Sequence, residues 1–111
     1  MIYAFADPIP LGKTDVVRGF YAELCDARKA DYDEIARRSG VIEEWYWLQP
    51  GSAGDLVVVA SSSDQQQFDT ILANPETDFD HWLRERIEEI FGFDPGKRQG
   101  IRNELLGTLR V

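Results

Sequence analysis

The side chains able to do chemistry are few, and their positions are unusual. The single histidine, His81, stands in Asp78-Phe79-Asp80-His81-Trp82 and is the side chain whose ordinary pKa lies nearest neutrality. If Phe79, Leu83, Ile87 and Ile90 form the buried stripe of a helix, His81 falls about 160° from its centre, beside Arg84, Glu85 and Glu88. Two uses are open for it. One is a solvated first-turn histidine held by Asp78 or Glu85; the other is an acid/base at a pocket mouth or a contact with a second subunit. One histidine without a cysteine pair is a poor ligand set even with Asp78 and Asp80 near, so no metal is expected.

A second set is charged where the pattern calls for apolar residues. Val17, Phe20, Tyr21, Leu24, Ala27, Arg28, Asp31 and Ile35 recur at steps of three and four and read as one stripe of a long helix. Arg28 and Asp31 therefore fall on the core-facing side. Glu44 has the same problem in an aromatic strand and could answer Arg28 across the gap. Such groups form internal ion pairs or line a cavity between helix and sheet, and a carboxyl in apolar surroundings can serve as general acid or base. The bland alternative is that Arg28 and Asp31 reach water at the helix edge. Trp45-Tyr46-Trp47 suits the stacking of a flat hydrophobic ligand, and equally suits core and interface. The candidates are thus Asp31, Glu44 and His81 for proton transfer, and Arg28, Trp45, Tyr46 and Trp47 for ligand contact.

The elements that must position these residues are legible as a series. Residues 2–7 form an apolar, aromatic strand stopped by Pro8 and Pro10. The long helix follows, with Thr14 as its cap, Asp15 in its first turn, and Arg37, Arg38 and Gly40 marking its end. Residues 41–48 and 55–60 are strands joined by Gln49-Pro50-Gly51-Ser52-Ala53-Gly54, a hairpin. Phe68, Ile71 and Leu72 give a short helix an apolar face, ended at Asn74-Pro75. Asp78 is placed to cap another from about residue 79 to 91, closed by Gly92, and residues 103–111 are a last strand interrupted by Gly107. Strand, helix, hairpin, broken helix, strand is the βαββαβ order of an α+β, ferredoxin-like domain with an antiparallel sheet, here one domain over residues 1–111.

Composition sets the outer bounds. A chain of 111 residues can bury a core without staples. Its formal charge of −8 argues against nucleic acid, whose phosphates need a basic surface. No run approaches the length of a membrane span, and the first residues lack the basic start and apolar run of a signal peptide. Cys25 is the only cysteine, which fits a reducing cytoplasm and an inert, at least half-buried thiol.

The strands fail to alternate. Trp45 and Trp47 oppose Tyr46 and Leu48, Leu56 and Val58 oppose Val57 and Val59, and Tyr3 and Phe5 oppose Ile2 and Ala4. Helices can cover one face of such a sheet. A second copy, packed sheet to sheet, would cover the other; the alternative is a monomer whose loop at residues 93–100 and termini fold over it.

Leu24-Cys25-Asp26-Ala27-Arg28, Gly40-Val41-x-x-Glu44 with Leu48, and Asp78-x-x-His81 resemble motifs of the dimeric α+β-barrel superfamily. That superfamily includes cofactor-free monooxygenases, polyketide cyclases and stress-responsive proteins, and the likeness is greatest to a family of domains of unknown function within it. The resemblance implies a homodimeric barrel and carries no activity with it. Two functions stay open: a small cytoplasmic binding or accessory protein, or a cofactor-independent monooxygenase or cyclase acting on a hydrophobic small molecule. Neither calls for a cofactor.

Overall fold

The computed structural model describes residues 2–63, 66–95 and 103–111. Their order is β1 (Tyr3–Pro8), α1 (Thr14–Cys25), α2 (Lys29–Arg38), β2 (Glu44–Gln49), β3 (Leu56–Ser61), α3 (Gln66–Ala73) and α4 (Asp78–Phe91). The three strands form one antiparallel sheet in the order β1-β3-β2. β1 and β2 both pair with β3, so Tyr3, Ser61 and Glu44 share a row, as do Phe5, Val59 and Tyr46. This is an α+β fold with an antiparallel sheet, as the sequence implied.

The helices cover only one face of the sheet. Val57 and Val59 from β3 join Phe20, Leu24, Ile35, Phe68, Leu72, Leu83 and Ile90 in one core, with Phe5, Tyr46 and Leu48 packed against it. Period-two alternation turns the other residues outward. That outer face reads Ala4, Ala6 and Pro8 on β1, Leu56, Val58 and Ala60 on β3, and Trp45, Trp47 and Gln49 on β2, without one charged side chain. Trp47 is 52% exposed there.

The expected long helix is two. Cys25 ends α1, and the Arg28 backbone N–H donates to the Glu23 carbonyl at 2.8 Å before α2 begins at Lys29. Side chains on either side of this break no longer share one stripe, because three non-helical residues reset the rotation between them. Arg28 becomes the residue before α2 and Asp31 part of its first turn. Cys25, at the end of α1, is exposed rather than buried. The end of α2 fulfils expectation: Gly40 takes φ +76°, its N–H donates to the Arg37 carbonyl (3.2 Å), and the Val41 N–H donates to Ala36 (2.9 Å). This double closure needs a left-handed residue, which glycine supplies without strain.

Both capping expectations shift. The Thr14 hydroxyl donates to the Asp55 carboxylate at 2.7 Å instead of capping α1, whose N-cap is Lys13. α4 is capped by Thr77, not Asp78: the Asp80 N–H donates to the Thr77 hydroxyl (3.0 Å) and the Thr77 N–H donates back to the Asp80 carboxylate (3.2 Å). Aspartate does in this box what glutamate or glutamine commonly does.

The last expected strand is absent. Residues 103–111 belong to no strand, and Leu105, Leu106, Leu109 and Val111 are exposed. A strand exists only with a ladder partner, and Gly107 lowers the local tendency to extend. The described sheet therefore has three strands, so the full βαββαβ order is reduced by its last member.

Candidate functional site

The polar group buried most unusually beneath the sheet is Glu44. It opens β2 on the inner face, two residues before Tyr46, so both side chains point toward the helices. α2 brings Tyr32 above them. The Tyr32 hydroxyl donates to Glu44 Oε1 at 3.2 Å. The Tyr46 hydroxyl lies 3.3 Å from Glu44 Oε2 and 3.1 Å from the Tyr32 oxygen, so it can donate to either. Two phenols and one carboxyl thus close a triangle of hydrogen bonds.

Aromatic packing holds the triangle. The Tyr21 ring of α1 lies 4.6 Å from the Tyr46 ring at an angle of 34°, and Phe20 meets Tyr21 edge-on at 5.1 Å. Phe68 of α3 meets Tyr32 edge-on at 6.3 Å. Such contacts fix ring positions as well as burying area. A cavity of about 60 Å³ lies against the triangle, between the sheet and the helices. Phe5, Tyr21, Tyr32, Glu44, Tyr46 and Phe91 contribute to its wall, as do the carboxylates Asp7 and Asp69.

Burial governs the protonation of the triangle. Removal from water pushes the Glu44 carboxyl above the usual carboxylate range, against the two phenol hydrogen bonds that favour its charged form. Burial pushes the Tyr32 phenol well above its ordinary value, and the neighbouring Tyr46 and Glu44 push the same way. Tyr46 is raised by burial first and by the Glu44 charge second. Both tyrosines are therefore held as neutral phenols that donate hydrogen bonds, and the Glu44 carboxyl keeps its proton more readily than an exposed one.

Of the seven residues singled out from sequence, the structure brings together Glu44 and Tyr46. Arg28 is elsewhere: its guanidinium lies 4.1 Å over the Trp82 ring, 3.4 Å from Glu23 and 3.9 Å from Asp31. The Asp31 side chain is 55% exposed. The break between α1 and α2 removes both from the inner stripe, so neither answers Glu44. Trp45 and Trp47 stand on the outer face, across the sheet from the cavity. His81 is exposed on α4 and does not line the cavity. Sequence reasoning missed Tyr32. With α2 read as a helix of its own, Tyr32 and Ile35 fall three apart on one stripe, the signal that the single-helix reading hid.

A second buried polar cluster is structural. Asp80, fully buried on α4, pairs with Arg38 of α2 through two hydrogen bonds of 2.5 and 3.1 Å. It also accepts from the Glu76 and Thr77 backbone N–H groups. Burial raises its pKa, but Arg38 and those backbone donors outweigh that and hold it down at about 2. Arg38 reaches Glu34 as well, at 2.8 Å. The group ties α2 to α4.

Among the described residues no set of three or more His, Cys, Asp or Glu side chains could hold a metal, and no helix is long and apolar enough to cross a membrane. Comparison with protein-family models, with curated proteins and with solved structures finds no match to this chain.

Proposed function

We propose that this chain is a binding protein of the dimeric α+β-barrel kind, which packs sheet to sheet with a second copy and holds a small, mostly apolar molecule beneath each sheet. The observation that carries the reading is the Glu44–Tyr32–Tyr46 triangle on the wall of a mostly apolar cavity that Asp7 and Asp69 also line. Apolar walls with a few convergent polar groups are the usual composition of a ligand site. The charge-free outer face supports the dimer, since a −8 chain with 29% charged residues has ample means to solvate a face meant for water.

The cavity size sets the ligand class. A volume of about 60 Å³ holds a few waters or a small organic fragment, whereas an engineered cavity of about 150 Å³ is needed for benzene to enter dry. A polycyclic substrate does not fit without displacement of Tyr21 or Phe91. A raised carboxyl beside two phenols also suits a general acid or base, which favours the second reading, a cofactor-independent monooxygenase or cyclase, for substrates small enough to enter.

A melting screen separates the readings. Acetamide, acetone and isopropanol at millimolar concentration are the probes, each smaller than benzene, with Glu44→Gln and Tyr32→Phe as controls. At least one probe should raise the wild-type melting temperature, and Tyr32→Phe should reduce that rise. No shift with any probe sinks the binding reading. Time-dependent consumption of a bound probe, lost in Glu44→Gln, would move the assignment to the enzyme.

A further inference from the structure

We infer, on the footing of the binding reading above, that the molecule held beneath the sheet is a short alkylammonium ion. Its N–H groups bond the Glu44 carboxylate and the phenol oxygens of Tyr32 and Tyr46, and its short carbon chain lies against the surrounding rings.

Proton counting comes first. The hydroxyl protons of the triangle are directed at its own members: Tyr32 donates to Glu44 Oε1, and Tyr46 donates to Glu44 Oε2 or to the Tyr32 oxygen. A carboxylate has about four acceptor positions, and a phenol oxygen keeps lone pairs after donating its proton. With Glu44 ionised, the triangle therefore offers the cavity lone pairs alone. An occupant must bring N–H or O–H donors, and an anion would meet only negative partial charge.

Charge then selects among donors. Glu44 takes its hydrogen bonds from the two phenols, and among the described residues no lysine, arginine or histidine pairs with it. Arg28, which the sequence set opposite it, is held over Trp82 instead. A carboxylate withdrawn from water without a counter-ion is costly, and that cost is what raises the Glu44 carboxyl. An ammonium ion supplies the missing partner through charge-assisted bonds, which are about twice as strong as neutral ones. Asp7 of β1 and Asp69 of α3 line the same cavity but have contacts of their own, so Glu44 is the anchor.

The rest of the wall suits a cation with a small apolar end. The rings of Phe5, Phe20, Tyr21, Phe68 and Phe91 contribute to it, and aromatic faces attract cations within ~6 Å of the ring centre. A cavity of about 60 Å³ keeps its occupant close to several of them. At ~30 Å³ for each water in the liquid, that is the room of roughly two waters. Methylammonium and ethylammonium match it; a quaternary, choline-like ion is too large.

The test is a ligand titration of the nitrogen-15-labelled full chain, read on the Tyr32, Glu44 and Tyr46 amides. Methylammonium and ethylammonium chloride are compared with their neutral isosteres methanol and ethanol, at ionic strength matched with sodium chloride. At pH 7 the ammonium ions should bind at least about tenfold tighter than the alcohols. Glu44→Gln should erase that preference, and Tyr32→Phe, which keeps the charge, should reduce it less. The parent chain alone carries a second readout. An alkylammonium keeps its proton to about pH 10, as lysine does, so affinity should rise about tenfold per pH unit while Glu44 is protonated and level off once it ionises. The phenols facing Glu44 are Tyr32 on α2 and Tyr46 on β2, with Cys25 near Tyr46. Asp7, Tyr21 and Asp69 share the wall from β1, α1 and α3, and α4 lends only apolar side chains. Alcohols binding as tightly as the ammonium ions, or a preference that survives Glu44→Gln and disappears in Asp7→Asn or Asp69→Asn, would overturn the inference and leave the binding reading standing. If neither these ions nor the neutral probes of the melting screen bind, the binding reading falls and the ammonium site with it.

Discussion

Replacing Asp80 by asparagine keeps the side-chain shape and removes the charge from the bond between α2 and α4. The carboxylate is fully buried and takes four hydrogen bonds, from Arg38 Nη1 and Nη2 and from the Glu76 and Thr77 backbones. Its pKa falls from 3.8 to about 2 on folding. At about 1.4 kcal/mol per unit, this is on the order of 2–3 kcal/mol of stability near neutrality. The sign follows from the direction: a lowered pKa gives stability that is complete above pH 4 and is lost as the pH falls through 2. Asparagine forfeits that contribution and leaves Arg38 with Glu34 as its remaining ionic partner, so the loss at pH 7 should be about 2–4 kcal/mol. Urea titrations followed by tryptophan fluorescence, at one fixed protein concentration to hold any association constant, would measure it. The parent-minus-variant difference should shrink steadily between pH 4 and pH 2, which separates Asp80 from the other carboxylates. A loss below 0.5 kcal/mol at pH 7, or a difference flat across that range, would refute the account of Asp80 as the charged link.

Glu44→Gln should act with the opposite sign. The folded Glu44 carboxyl is raised by burial, so the parent loses stability as the pH rises from its unfolded pKa of about 4.5 through the folded value. The variant should be more stable than the parent at pH 7, with the gap closing at pH 4 in the same urea assay. Gly40→Ala places a side chain at φ +76°, which should cost about 1 kcal/mol and lower the melting temperature by several degrees.

Much of the fold was legible because its signals are local. Pro8 and Pro10 stop β1, Gly51 and Gly54 turn the hairpin, and Gly40 and Gly92 close α2 and α4, each through a constraint that acts within a few residues. The break at Asp26-Ala27-Arg28 was hidden because no glycine or proline marks it, and apolar spacing runs through it by coincidence. That lapse misplaced Arg28 and Asp31 and concealed Tyr32. Glu44 was visible because a carboxyl in an aromatic strand has no bland explanation. Tyr46, two positions along the same strand, was visible with it; Tyr32 was not, since nothing in the 12 positions from Tyr32 to Glu44 states which side chain will lie above the carboxyl. The state of residues 103–111 cannot follow from local pattern at all, because a strand is defined by its neighbour.

Asp55 shows how far one turn residue can bind a chain together. Its carboxylate accepts from Thr14 at the head of α1 and from the Gly51 N–H in the hairpin turn, while its carbonyl accepts from Ile9 just past β1. The hairpin can close on its own, since β2 and β3 are neighbours in sequence. β1 must wait, because its partner strand lies more than forty residues away and Asp55 can grip Ile9 and Thr14 only once that distance has been closed. Loop-closure entropy therefore favours an order in which the hairpin forms first and presents a clasp to which the N-terminal strand and first helix add later. Loosening Asp55 would slow arrival at the native state by delaying that step, and would let β1 peel from the sheet edge before the rest of the molecule opens.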